Sequence, residues 1–326
     1  MADNVDRRGF MKKSIVASAG GATLLNSAKA GQGDAPDYKV EIASKATVSQ
    51  GKIGNLKISR MLLGGNLLTH YAHSRDLKYV YNLTAHYNTE AKINETMALA
   101  EAHGINALVI HNPPGIIPML MRYRHRHQGK MQWIVCPIAP VEPGMKAYSE
   151  QVKELVDTGI EAIYLWGVHA DRLIAQGKID LVRQAVEIAK EHGVPSGVGA
   201  HDLRVVVECE KHNIANDFYI KTFHHHNYPT APKPDELKGP TAEVPGYWCK
   251  DPGETIEVMS KVTKPWIAFK VMAAGAIDPK SAFKYVFEKG ADHTLAGMFD
   301  FEIAEDVKIV NDVLANLKNR SRPWYS

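Results

Sequence analysis

Cysteine is scarce: there are three in 326 residues, at positions 136, 209 and 249. With no CxxC pair and an odd count, they suit neither a disulfide framework nor a thiolate zinc site. Charge of one sign is missing too. The 39 basic and 36 acidic residues are spread along the chain and leave a net +3, so no basic block argues for nucleic acid or an anionic membrane. No stretch is long and apolar enough to span a bilayer, and stable membrane insertion is not expected. HExxH, which would fix a metal on one helix face, does not occur. What the chain does have is 45% hydrophobic content, enough to fill a large core, and 15 histidines. Small molecules are the expected partners, and any metal would be held by imidazole and carboxylate.

The first thirty residues carry a separate signal. DRRGFMKK (6–13) precedes a mildly apolar run, SIVASAGGATLL (14–25), and then SAKA, which ends at Ala30 in a small-x-small pattern. This segment resembles a bacterial twin-arginine export signal, with Arg7 and Arg8 as the pair and Phe10 and Lys12 following. The resemblance implies a partnership with the twin-arginine (Tat) export machinery and delivery, already folded, to the periplasm or beyond the cell. Residues 1–30 are then a signal peptide, 31–57 an N-terminal extension and 58–326 the folded domain.

From about residue 58 onward, short apolar runs alternate with longer amphipathic ones. Eight strands are expected, at 58–66, 105–112, 132–139, 161–168, 195–202, 217–224, 266–273 and 292–299. Between them INETMALAEAHG, LVRQAVEIAKEHG and AFKYVFEKG have a helical period and close on a glycine suited to a left-handed C-cap. Asp251-Pro252 and Asp278-Pro279 read as helix starts, with Asp capping and Pro at the first helical position. Eight consecutive βα units predict a single-domain α/β fold, the (β/α)8 TIM barrel, whose active sites lie at the C-terminal ends of the strands. Loops 67–88 and 225–250 are long enough to cover that face.

Two lysines fall on the sixth and seventh strands. With the bulky Phe218, Ile220, Ile267 and Phe269 assigned to the helix side, the two-residue period turns Tyr219, Lys221 and Phe223, and Ala268, Lys270 and Met272, into the barrel. A buried ammonium is costly unless paired. The lysines therefore read either as members of an ion pair or as catalytic amines whose pKa is lowered by burial and by each other. DFYIKTF and IAFKVMAAGAI resemble the matching strands of class I deoxyribose-phosphate-type aldolases, in which one lysine forms a Schiff base and the other tunes it. The spacing from Lys270 to Gly275 is longer than in that family.

A broader resemblance runs through most of the barrel. ISRMLLGGNLL, AEAHGINALVIHNPPG and AGMFDFEIAEDVKIV are similar to the first strand, the second strand and the last strand and helix of the aldo-keto reductases. That family implies NAD(P)-linked oxidoreductase chemistry. Yet the positions of its catalytic Asp, Tyr, Lys and His are taken by Val109, Pro114, Cys136 or Pro137, and Trp166. Hydride transfer then lacks its proton donor, and a nicotinamide cofactor is not expected.

At the mouth, His201 follows Gly197 and Gly199 and His111 shares parity with Ala107 and Val109, so both are expected to point inward. KTFHHHNY puts three more histidines at the rim of the sixth strand. His201, His224 and His226 are candidates to hold Zn, Mn, Ni or Fe with a nearby carboxylate. Without a metal, His201 suits a general acid or base near neutral pH. The expected catalytic set is Lys221, Lys270 and His201, with Asn66, His111, Asn112, Trp166 and Asp300 binding substrate. The expected activity is that of an exported lyase, isomerase or hydrolase in carbohydrate metabolism, acting on a small carbonyl or carbohydrate by lysine/histidine or metal-assisted chemistry. An aldo-keto-reductase-like oxidoreductase and a non-catalytic periplasmic binding protein are the alternatives. The basic run RYRHRH (122–127) suits a solvated helix face or an oligomer contact.

Overall fold

The computed structural model describes residues 47–74, 77–238 and 249–326. The expected export signal and the first part of the 31–57 extension lie outside these residues. A hairpin of β1 (Gln50–Ile53) and β2 (Leu56–Ser59) comes first. The barrel strands are β3 (Met61–Gly64), β4 (Ala107–His111), β5 (Gln132–Cys136), β6 (Ala162–Leu165), β7 (Ser196–Ala200), β8 (Phe218–Thr222), β9 (Trp266–Phe269) and β10 (His293–Ala296). They close in chain order, with β10 pairing back onto β3 in parallel through Thr294 with Met61 and Ala296 with Leu63.

Helices α1 (Tyr79–Tyr87) and α2 (Glu90–Ala102) follow β3, and α3 (Ile116–Arg126) and α4 (Lys146–Asp157) follow β4 and β5. After β6 come α5 (Gly167–Ala175) and α6 (Ile179–Glu191), and after β7 comes α7 (Leu203–Lys211). The last three, α8 (Pro252–Lys261), α9 (Pro279–Glu288) and α10 (Ile303–Ala315), follow β8, β9 and β10. This is the (β/α)8 barrel that the sequence predicts, with each strand inside its expected window. No helix among the described residues is long and apolar enough to cross a membrane.

The local chemistry behaves as its residues dictate. Gly104, Gly193 and Gly290, just past α2, α6 and α9, have φ of 88°, 79° and 104°, the left-handed region where a Cβ is penalised. Asp251 accepts from the Glu254 N–H, and Asp278 from the N–H groups of Lys280 and Ser281, so both Asp-Pro pairs start helices. At the base, Arg322 is buried and uses all five of its N–H donors. It pairs with Asp292 at 2.6 Å and donates to the carbonyls of Val262, Lys264 and Gly290, tying the segment after α10 to the feet of β9 and β10.

The core has two shells. The larger lies between strands and helices; the smaller fills the barrel, where Ile53 and Ile58 of the hairpin pack with Leu62, Ala107, Phe218 and Ile267. The hairpin therefore plugs the barrel at the N-terminal end of the strands. The expected parity is reversed on two strands. Phe218, Ile220, Ile267 and Phe269 belong to the interior, and Tyr219, Phe223 and Ala268 to the outer shell. The cause is Gly197 on β7: a Cβ there would sit 2.4 Å from the Phe218 ring. The missing side chain leaves a hole that the aromatic fills, so bulk enters the barrel where bulk was expected to leave it.

Candidate active site

The C-terminal ends of the strands surround a cavity of about 580 Å³. Val109, Tyr164, Ile220, Phe269 and Leu295, one from each of five strands, form its apolar floor. Gly64 and Gly297 meet at its side, where a Cβ on Gly64 would lie 2.8 Å from the Gly297 nitrogen. The polar lining includes Asn66, His73, His111, His201 and Lys270, with Asp278 and Glu302 also on the wall.

His201 is the most tightly fixed of these. Its Nδ1 lies 2.8 Å from Asp171 Oδ2, and its backbone N–H and that of Asp202 both donate to Asp171 Oδ1, at 3.1 and 3.0 Å. Asp171, on α5, thus holds ring and backbone together and keeps the proton on Nδ1, which leaves Nε2 as the basic nitrogen. Burial pulls the His201 pKa below its ordinary value against the opposing pull of Asp171, and Lys270 adds to the lowering. Gly167 makes room for the ring, since a Cβ there would meet it at 3.1 Å.

Lys270 reaches the cavity by an unexpected route. It is the first residue after β9 and has φ of 56°, a left-handed conformation costing about 1–2 kcal/mol for a residue with a Cβ. That twist swings the side chain off the strand's parity and over the Phe269 ring, with Nζ 5.5 Å from the ring centre. Ala273, Ala274 and Gly275 continue the turn at φ of 46°, 56° and 81°. Burial holds the Lys270 ammonium well below its usual pKa, with Asp171 the opposing charge. Burial favours the neutral amine, the form that acts as nucleophile or base.

Three further groups complete the chemistry. His73, from the loop after β3, has its pKa lowered to about 3 by burial and by the neighbouring Lys270, His201 and His111, so it is neutral in use. His111 stacks on Trp166, ring planes 7° apart, and meets Tyr71 edge-on, ring centroids 5.4 Å apart. Tyr164 hydrogen-bonds with Cys136, and burial keeps its phenol protonated well above the ordinary value.

Of the residues expected at the site, Asn66, His111, Trp166, His201 and Lys270 line the cavity. Lys221 does not. It is buried on the outer side of β8, where its Nζ donates to the His201 carbonyl (3.0 Å), the Thr222 carbonyl (2.8 Å) and Thr222 Oγ1 (3.1 Å). The reversed parity of β8 puts it there. His224 and His226 also stand apart: His224 Nε2 accepts from the Cys249 N–H while its Nδ1 donates to the His225 carbonyl, and His226 Nε2 donates to the Cys249 carbonyl. β8 ends at Thr222, so the triplet turns away from the barrel to anchor the chain at Cys249 instead of converging on His201. Among the described residues, no group of three or more His, Cys, Asp or Glu is placed to hold a metal ion. Asn112 lies outside the cavity lining, and Asp300 accepts from Tyr87 and Lys92 at 2.7 and 3.0 Å, bridging α1 and α2 to the rim.

Asp171, His73 and Tyr164 were missed by sequence reasoning. Tyr164 was within reach, two residues before Trp166 on the same strand face. Asp171 and His73 lie on a helix and a loop, where no strand period points to them.

No family model matches the chain, and no curated protein matches it. Solved structures do. A protein of Pseudomonas aeruginosa assigned to the aldo-keto reductases is similar with a TM-score of 0.59 at 14% identity, over 85% of this chain and 100% of its own. An aldo-keto reductase of Bacillus halodurans, in its apo form, is similar with a TM-score of 0.50 at 11% identity, over 85% and 99%. At such identities the likeness is one of architecture: the chain is a (β/α)8 barrel similar in fold to aldo-keto reductases.

Proposed function

We propose that the protein is an exported enzyme, a lyase, isomerase or hydrolase, acting on a small carbonyl or carbohydrate with Lys270 as its amine and His201 as its acid–base group. The observation that carries this is a desolvated lysine and an aspartate-held histidine lining one cavity at the catalytic end of the barrel. A binding protein has no need of either device. The Lys270 lone pair would add to a substrate carbonyl carbon, giving a carbinolamine that loses water to an imine. His201 Nε2 would take the proton released from the adjacent carbon or hydroxyl, its imidazolium steadied by Asp171. Neutral His111 would hydrogen-bond a substrate oxygen. Export rests on DRRGFMKK and its following run.

Borohydride reduction in the presence of dihydroxyacetone, glyceraldehyde and a set of keto sugars tests the amine. Mass spectrometry should place the reduced adduct on Lys270 and not on Lys221, and Lys270→Met should abolish it. An adduct elsewhere, or none from any of these carbonyls, overturns the amine mechanism.

The fold likeness favours a second reading, an NAD(P)-linked oxidoreductase. The residues present do not fit that chemistry well. At the positions of the family's tetrad, Val109 is a floor residue, Trp166 is stacked on His111, and burial pushes the Cys136 thiol up to about 12. Quenching of NADPH fluorescence by the protein, with oxidation on adding a carbonyl, would restore this reading.

A further inference from the structure

Helix α1 is built as though half of its surroundings were missing. It has nine residues, YVYNLTAHY, of which Thr84 alone is buried, and Thr84 spends its hydroxyl on the helix's own Val80 carbonyl. Isolated helices shorter than about 12 residues are marginal in water and rely on a packed face. This one has no side-chain N-cap and no acidic residue in its first turn, so it lacks the usual local supports as well.

Its apolar side chains face outward. Tyr79, Leu83 and Tyr87 recur every four residues and form one stripe. Tyr87 continues the stripe into the rim: it meets Phe299 and Phe301 edge-on at 5.6 and 6.4 Å, and those two rings stack 9° from parallel. The bond from Tyr87 to Asp300, which Lys92 also grips, locks these rings in place. Tyr71 and Leu77 join at the mouth of the cavity, both lining it. Tyr71, Leu77, Tyr79, Leu83, Tyr87 and Phe301 are each between 40% and 69% exposed. Together they present on the order of 600 Å² of apolar surface, taking aromatic side chains at about 200 Å² each. That is the upper limit for a monomer's largest patch, about 300–600 Å². With its polar rim it approaches the roughly 800 Å² that each partner contributes to a standard interface.

We infer that this face is the contact between two copies of this chain. Between residues 77 and 89 the ionisable cations are Lys78 and His86, with no acidic residue, and at the Phe299–Phe301 end Asp300 is paired with Lys92 while Glu302 accepts from the Phe299 N–H. A two-fold contact sets the patch against itself, and one nearly free of charge does so without like-charge repulsion. The same near-neutrality gives an anionic lipid surface or a charged partner nothing to hold. Preordered aromatic anchors ringed by polar groups are the usual centre of such an interface. Because Tyr71, Leu77 and Phe299 also line the cavity, the second copy would roof the active site, and the site is complete only in the dimer.

Sedimentation equilibrium of the full chain tests this. The expected mass is twice the 36.0 kDa of one chain, and Leu83→Glu with Phe301→Glu should return it to the single-chain mass at micromolar concentration while circular dichroism stays unchanged. Tyr79→Asp is the second variant if that pair fails to fold. A wild-type chain that remains single at 100 μM overturns the inference. So does a dimer that survives both variants, or a single chain that binds phosphatidylcholine vesicles through the same residues.

Discussion

Asp171 decides what His201 can do. Its carboxylate opposes the lowering that burial imposes on the imidazole, so Asp171→Asn removes a stabiliser of the imidazolium. The His201 pKa should then fall further, and the acidic limb of the pH–rate profile, where His201 gains its proton, should move to lower pH. The amide also lets the ring adopt the other tautomer, and the rate at the optimum should drop by roughly 10²–10⁴-fold. Histidine NMR titration of the free protein gives the pKa directly, without a substrate. An unchanged titration would remove Asp171 from the mechanism. At this scale the sequence was partly legible: His111 and His201 line the cavity as their two-residue period predicts, and Asn66 and Trp166 line it from the strand ends where they were expected. Lys221 was misjudged, and Lys270 reaches the cavity only through its left-handed twist after β9. Parity was inferred from side-chain bulk, and Gly197 on the neighbouring strand inverts that rule by admitting Phe218 into the barrel.

Among the elements, the turn after β9 carries the most stored strain. Lys270, Ala273 and Ala274 all hold left-handed backbone without being glycine, at about 1–2 kcal/mol each. Such strain persists where the surroundings over-determine it, and it clusters at functional sites. Ala274→Gly should therefore stabilise the fold by about 1 kcal/mol, visible as a rise of about 2 °C in Tm. It should also slow imine trapping at Lys270, because the turn that aims the amine becomes looser. A more stable variant that traps at the wild-type rate would show that the strain has no part in placing Lys270. The αβ elements themselves were legible from periodicity, Asp-Pro starts and glycine stops. Helix α1 was not: its sequence sits inside the loop expected at 67–88, because a nine-residue segment that points its Tyr79, Leu83, Tyr87 stripe at solvent and buries only Thr84 offers no core-facing apolar period to read.

For the whole molecule, the count of eight βα units was enough to give the barrel, since that alternation has few other closed solutions. How the barrel is sealed was invisible beforehand. The hairpin plug and the Arg322–Asp292 pair join residues far apart in the chain, and neither has a local pattern. Arg322→Met takes from buried Asp292 the closer of its two cations, leaving Arg320 at 3.7 Å, and removes the Arg322 donors to the Val262 and Lys264 carbonyls, which should cost about 3 kcal/mol. Urea unfolding of the variant measures it, and a loss under about 1 kcal/mol would mean that the terminal segment contributes little to closing the base.

The seam where β10 meets β3 bears on the cavity above it. Gly64 and Gly297 face each other across that joint, and the cavity wall runs from residue 64 to residue 302. The pocket has no partial form: it comes into being only when the first and last strands have found each other. Any molecule seated there grips both sides of the joint and binds the closed barrel alone, so its binding energy is added to the stability of the whole fold. Substrate is a clasp on the barrel as well as its cargo, and the enzyme is hardest to unzip while it is occupied.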